Sequence, residues 1–311
     1  MEQKCCNKMT IGGQAVIEGV MMRGAKYIAT AVRDPSGEIC VKTSLVNSLG
    51  DKYPILKKPF LRGVLSLGES LVMGMKSLSY SAKMAGEEEN DKMSDKEMAL
   101  TIFISIVAAI IMFVVIPTAM ARFFPTNDPF YMNLGEGVIR LAIFLIYIYG
   151  ISRMKDIYRV FQYHGAEHKT IFAFEAGVEL TPENIKKFSR FHPRCGTSFL
   201  LIVMIVSIVV FAFLGWPALI YRILSRVILL PVVAGVSYEI IRFSSKSKNP
   251  LIHIAILPGL WLQRLTTKEP DASMIEVAVK AVEAVVIEAE EKDTEKKYSV
   301  DMAFSQPLND N

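Results

Sequence analysis

Charge is scarce in this chain: only 21% of its 311 residues are Asp, Glu, Lys or Arg, against 51% hydrophobic. The charges present nearly cancel, to +4, and the basic ones form no single stripe with interleaved aromatics, so nucleic acid is excluded as the expected partner. Cysteine is sparse too. Cys5, Cys6, Cys40 and Cys195 have no disulfide-framework spacing, so reduced thiols in a reducing compartment are expected. No Cys-x-x-Cys-His occurs, which removes c-type haem attachment. Membrane di-iron hydroxylases and desaturases need about twice the four histidines present. Met1 to Cys6 leads into no apolar run, so no cleavable signal peptide is expected. The glycine-rich Ile11 to Gly24 stretch lacks the Gly-Lys-Ser/Thr of a P-loop.

The apolar residues are bunched. Runs from Met98 to Met120, Leu134 to Ile151, Ser198 to Leu214 and Ile220 to Phe243 read as membrane spans. The fold class expected is mainly α: a polytopic helical membrane protein with about four transmembrane helices and a small N-terminal cytoplasmic α+β part. The segment between the second and third spans carries Arg153, Lys155, Arg159, Lys169, Lys186, Lys187, Arg190 and Arg194, while the loop after the first span offers Arg122. By the positive-inside rule that segment and both termini are expected on the cytoplasmic side. Arg222 and Arg226 argue mildly the other way and are outvoted. The organisation expected is an N-terminal region 1–97, a membrane domain 98–264 enclosing the polar segment 152–197, and a C-terminal helix and tail 265–311.

Within the first region, Tyr27–Val32 and Ile39–Thr43 flank the turn signal Asp34-Pro35-Ser36-Gly37, which predicts a hairpin. From Pro59 to Met84 the period is helical. Phe60, Val64, Leu67, Leu71, Met75 and Leu78 share a face suited to packing or to the membrane surface. Arg153 to Phe174 is expected to extend the second span as a helix, and Thr181-Pro182-Glu183 to start another. Leu251 to Leu265, with His253, is too short and too broken to cross a bilayer. Pro270-Asp271 opens a last helix before a polar tail from Lys292.

Three of the four histidines fall in the polar segment, at Tyr163-His164-Gly165-Ala166-Glu167-His168-Lys169 and Phe191-His192-Pro193-Arg194-Cys195-Gly196. On a helix, His164 and His168 lie one turn apart on one face, with Glu167 beside them. This is the His-x-x-Glu-His arrangement of the inverted zincins: two imidazoles grip one metal and the carboxylate acts as base towards water there. A divalent metal, best zinc, is the cofactor expected. Glu239, His192 and Cys195 are the candidates to complete its shell; inverted zincins also take a ligand from a downstream glutamate. Lys169, Arg190 and Arg194 are placed to stabilise developing negative charge or a lipid phosphate.

The Gly12 to Gly24 motif, Tyr163 to Lys169, His192-Pro193-Arg194-Cys195-Gly196-Thr197 and Pro258-Gly259-Leu260-Trp261-Leu262-Gln263 together resemble the YqhQ family of bacterial membrane proteins. The resemblance implies a bacterial plasma membrane and makes Gln14, Glu18 and Arg23 site candidates for substrate. The expected function is a membrane-embedded metallohydrolase with a cytoplasm-facing site. The alternative is a non-enzymatic scaffold or transporter subunit with structural histidines, and a third reading is a carrier lined by Glu136, Arg140, Arg222 and Arg226. The lipid bilayer is the expected partner. A second copy or another membrane protein is open, since the glycines between Pro59 and Met84 permit close helix contacts.

Overall fold

A computed structural model of the chain describes residues 11–86, 94–246 and 257–287. His253 and the tail from Lys292 lie outside the described residues. Four short strands, β1 (Gly12–Val16), β2 (Gly19–Arg23), β3 (Tyr27–Arg33) and β4 (Ile39–Leu45), form an antiparallel meander in sequence order, with β1 at one edge. The predicted hairpin joins β3 to β4. Asp34 closes it by accepting from the Glu38 amide at 2.9 Å and the Ser36 hydroxyl at 2.6 Å, and Gly37 supplies φ +92°.

Alternating strand side chains feed two cores. Val16, Met21, Ile28 and Val32 meet Met73, Tyr80 and Met84 of α2 (Leu61–Met84). Val20, Met22, Ala29 and Ala31 meet Tyr163, Ala166 and Ile171 of α6 (Lys155–Glu175), together with Met274, Ile275, Ala278 and Val282 of the last helix, 272–287. With both faces covered, β2 and β3 read as nearly continuous buried runs rather than alternating ones.

The remaining helices are α1 (Leu49–Lys52), α3 (Asp95–Ile110), α4 (Ile116–Ala121), α5 (Pro129–Ile151), α7 (Pro182–Ile185), α8 (Gly196–Ala212), α9 (Leu219–Lys246) and α10 (Leu257–Thr266). The protein is mainly helical, and among the described residues three helices are long and apolar enough to cross a membrane: Ala99–Ala121, Pro129–Ile151 and Leu219–Ser244. The expected third span is the shorter α8, 17 residues or about 26 Å of helix. It packs between α5 and α9 and against α10, through Phe144, Ile148, Leu201 and Leu262.

Three expectations change. The 153–174 helix does not extend the second span: α5 stops at Ile151, and α6 starts afresh at Lys155 after a turn. The apolar face foreseen on α2 is not the packed one. Gly74, Ser77 and Ser81 face the sheet, whereas Leu71, Val72, Met75 and Leu78 are exposed. The small residues win that face because they let the helix come close to the strands. Among the glycines expected to permit contacts with another molecule, Gly63 lies instead against Gly235 and Tyr238 of α9.

Glu136 and Arg140, four apart on α5, pair at 2.6 Å. Arg226 reaches Glu136 Oε2 at 2.7 Å and Asn133 Oδ1 at 3.1 Å, and the Thr118 hydroxyl donates to Glu136 at 3.0 Å. A π-helical turn, Ile111–Val115, separates α3 from α4, and the Phe113 carbonyl accepts from Arg140 Nε at 2.8 Å. A π turn disrupts the helical ladder, and here it supplies an acceptor for a guanidinium buried among apolar helices.

Candidate functional site

Helix α6 puts His164, Glu167 and His168 on one side, as the four-residue spacing requires, and the turn before α8 brings Cys195 to them. The ligating atoms of His164, His168 and Cys195 all lie within 4.8 Å of one another. His164 Nδ1 lies 2.7 Å from the Thr266 carbonyl, and His168 Nδ1 2.5 Å from the Arg190 carbonyl. A carbonyl only accepts, so both rings donate from Nδ1, which leaves Nε2 as the atom each can offer a metal. That is the orientation second partners impose on metal-binding imidazoles. His164 Nε2 is 3.2 Å from Cys195 Sγ, and the two imidazole rings are 4.4 Å apart between centroids.

Gly165 shows why the motif reads His-Gly-Ala-Glu-His. A Cβ there would sit 2.0 Å from the Lys268 carbonyl. The absence of a side chain lets the 266–268 backbone lie across α6, where the Lys268 amide donates to the Phe161 carbonyl at 2.8 Å and the Thr266 carbonyl reaches His164. Gly13 in β1 has a matching role. A Cβ would meet Glu167 Cγ and Oε1 at 2.9 Å, so the strand and the carboxylate are in direct contact.

Glu167 is 4% exposed, and its Oε2 has no hydrogen-bond partner among the described residues. Burial pushes its pKa up to about 7, an effect the neighbouring His164 partly offsets. A carboxylate held near neutrality suits proton transfer.

His192 lies beside the triad, its ring centroid 5.4 Å from that of His168 and 4.6 Å from that of Phe172. Its Nδ1 accepts from the Arg194 amide at 3.2 Å. Burial, followed by the charges of His168, Arg194 and His164, drives its pKa down to about 3, so the ring is neutral. Gln263 pins the same residue: its Oε1 accepts from the His192 amide at 2.7 Å, and its Nε2 donates to the His192 carbonyl at 2.8 Å and the Ser198 hydroxyl at 2.7 Å.

The expectation that Glu239 joins the shell is corrected. Its carboxylate accepts from Arg62 at 2.6 and 2.8 Å and from the Phe60 amide at 3.1 Å, which joins α9 to the start of α2. A cation and an amide already satisfy both oxygens, and they hold it away from the histidines. Lys169 bonds the Lys186 carbonyl and Glu269, and Arg190 bonds the Thr267 carbonyl, so both brace the loops behind the site. Glu18 pairs with Arg159, at 2.6 Å to Nη2, and with the Tyr163 hydroxyl at 3.3 Å, outside the cavity. Gln14, Arg23 and Arg194 do line the cavity. Arg23 is paired with Glu69 at 3.2 Å and Arg194 with Glu175.

That cavity has a volume of about 700 Å³, and its wall runs from β1 and α2 across α6 to the 192–197 turn. Two imidazoles and a cysteine sulfur, all three residues lining the cavity, make a donor set that fits zinc.

Residues 58–288 match the family described as "Protein of unknown function (DUF1385)". Over 289 residues the chain is 37% identical to the "Uncharacterized protein YqhQ" of Bacillus subtilis (strain 168), covering 87% of this chain and 90% of that one. The chain belongs to this family. No solved structure matches it. The YqhQ-like segments identified in the sequence meet at one place: β1, the α6 motif and the 192–197 turn all line the cavity, and Gln263 stands directly behind the turn. Gln263, Thr266 and Thr267 hold site residues that residue chemistry alone did not single out. The YqhQ-like Pro258 to Gln263 stretch was the sequence signal for Gln263; Thr266 and Thr267 lie beyond it.

Proposed function

We propose that this member of the YqhQ family is a metal-dependent hydrolase embedded in the plasma membrane, with its site at the cytoplasmic surface. One observation carries the reading: His164 and His168 spend Nδ1 on backbone carbonyls, so both Nε2 atoms converge with Cys195 Sγ beside an unpartnered buried carboxylate. His164, His168 and Cys195 would hold a divalent ion, best zinc. The ion would polarise a carbonyl or phosphoryl oxygen and acidify water. Glu167 takes a proton from water in the cavity and returns it to the leaving group. Arg23 and Arg194 on the cavity wall offer positive charge to an anionic part of the substrate. Their acidic partners Glu69 and Glu175 keep them oriented.

The membrane reading rests on the three long apolar helices, to which α8 adds a fourth crossing by packing among them. The basic residues of 152–197 then put that segment and both termini on the cytoplasmic side. The exposed apolar face of α2, at Leu71, Val72, Met75 and Leu78, suits contact with the same membrane surface.

The test is a panel of chromogenic esters, amides and phosphoesters offered to the zinc-loaded protein in detergent. Glu167→Gln is expected to keep the metal and lose about 100-fold or more of the rate on any substrate turned over. Equal rates for the two proteins, or no turnover across the panel, would overturn the assignment. A closed structural site is the second reading, favoured by the His192 ring next to His168. Metal spectroscopy showing four protein ligands would establish it.

A further inference from the structure

The cavity is built around a strand edge that no other described strand pairs. Backbone direction in β1 follows from the ladder. The Gly24 amide donates to the Tyr27 carbonyl and the Arg33 amide to the Glu18 carbonyl, so Glu18 and Gly24 turn their backbone groups towards β3. Pairing alternates along an antiparallel strand, so Gly19, Met21 and Arg23 turn theirs towards β1. Their partners in register are Val16, Gln14 and Gly12. That leaves Gly13, Ala15 and Ile17 presenting amide and carbonyl outward from the sheet. The Ile17 amide confirms the parity, since it donates outward to the Ser81 hydroxyl of α2 at 3.2 Å.

Gly13 and Ala15 have no such partner among the described residues, and both line the cavity. Gly12 and Gly13 are exposed and carry no side chain to block an approaching backbone. The cavity wall includes side chains from both faces of the sheet, Gln14 and Met21 on the α2 side and Ala15 on the α6 side, so the space wraps round the edge. At one end of this edge, Glu167 packs directly on Gly13.

Two amides and two carbonyls at alternate residues, about 7 Å apart along the strand, match one chemical object: another extended polypeptide backbone. We infer that the ligand of this site is an extended polypeptide segment, bound by strand addition to β1 so that one of its peptide carbonyls lies over Glu167 and the His164–His168–Cys195 cluster. The inference rests on the hydrolase reading and makes the reaction a peptide-bond hydrolysis. In that step water adds to the carbonyl carbon and the C–N bond breaks. One proton of the water goes through Glu167 to the leaving amine.

The experiment uses the full chain in detergent as its Glu167→Gln variant, so that bound peptide persists. The probe is a pool of fluorescein-labelled unstructured decapeptides, read by anisotropy. A matched pool N-methylated at alternate backbone amides is the comparison, because methylation removes strand pairing and keeps the side chains. Binding of the plain pool, weakened about tenfold or more in the methylated pool, is the expected result. Adding Ala15→Pro removes one outward amide without touching the β1–β2 ladder and should weaken binding similarly, whereas adding Ala15→Ser should not. No binding, or equal binding of the two pools, would overturn the inference whether or not Ala15→Pro folds. Zinc content and ester turnover of the wild type are measured alongside. Turnover of small esters with no peptide binding sinks only the substrate assignment. Peptide binding by a protein that takes up no metal sinks the hydrolase reading and leaves the strand-addition site in place.

Discussion

Gln263→Leu should loosen the metal cluster without touching any proposed ligand. Gln263 is fully buried, and its amide group makes three hydrogen bonds, two to the His192 backbone and one to the Ser198 hydroxyl. Leucine fills a similar volume but leaves the His192 N–H without a partner, while the His192 C=O loses one of its two donors and keeps the Cys195 amide. Each buried orphan costs about 1–3 kcal/mol. The Ser198 hydroxyl can turn to a carbonyl of its own helix and is discounted. A net cost of about 2 kcal/mol follows for the closed 192–195 turn, or on the order of 30-fold in its opening equilibrium. Cys195 is 5% exposed, and its amide bonds the His192 carbonyl at 3.3 Å, so an open turn uncovers the thiol. The assay is maleimide labelling of metal-stripped protein in which Cys5, Cys6 and Cys40 are serine, with zinc affinity measured by chelator competition. Labelling should speed up on the order of 30-fold, and zinc affinity should fall about 10- to 30-fold. Labelling and affinity equal to the parent would refute the claim that Gln263 holds the ligand-bearing turn.

Glu136→Ala should be among the most destabilising single changes in the membrane helices. It strands Arg140 and Arg226, both largely buried, at a cost of about 3–5 kcal/mol. Thermal unfolding in detergent should show a clear drop, with part of it recovered in Glu136→Ala/Arg226→Leu; an unchanged midpoint contradicts the buried ion cluster. The Glu167 carboxyl should make metal-free protein pH-sensitive. Its folded pKa, about 7, stands above the ordinary 4.5, so the native state holds the proton more tightly. That contribution is complete below about pH 4.5, is lost as pH rises to about 7, and stays lost above, a change on the order of 3 kcal/mol. The stability of Glu167→Gln minus that of the parent should therefore rise across this window. A flat difference would show that the carboxyl is not buried as described.

The legible parts of the protein were those that local spacing controls. The β3–β4 turn chemistry, the helical face shared by His164, Glu167 and His168, and the Glu136–Arg140 pair each depend on residues within a few positions of one another. What long-range packing decides was not legible. Glu239 looked unpartnered because Arg62 precedes it by 177 positions, and only folding brings the two together. On α2 the amphipathic pattern left packing and the membrane surface both open, and its face is exposed at Leu71, Met75 and Leu78. Periodicity locates apolar residues, whereas close approach to a sheet selects the small ones, Gly74, Ser77 and Ser81. The carbonyls that orient the histidines, at Arg190 and Thr266, belong to the backbone and have no side-chain signature. Gly165 was present in the motif from the start. Its reason, the 266–268 backbone lying against it, appears only in three dimensions.

The central claim is that His164, His168 and Cys195 bind a metal ion, and the most direct measurement is the metal content of the purified protein. The protein should carry no histidine tag and be compared with a His164→Ala/His168→Ala variant by elemental analysis. Close to one zinc per chain in the parent, lost in the variant while the helical circular-dichroism signal is kept, is the result predicted here. A folded parent that holds no transition metal and takes none up on reconstitution would contradict it.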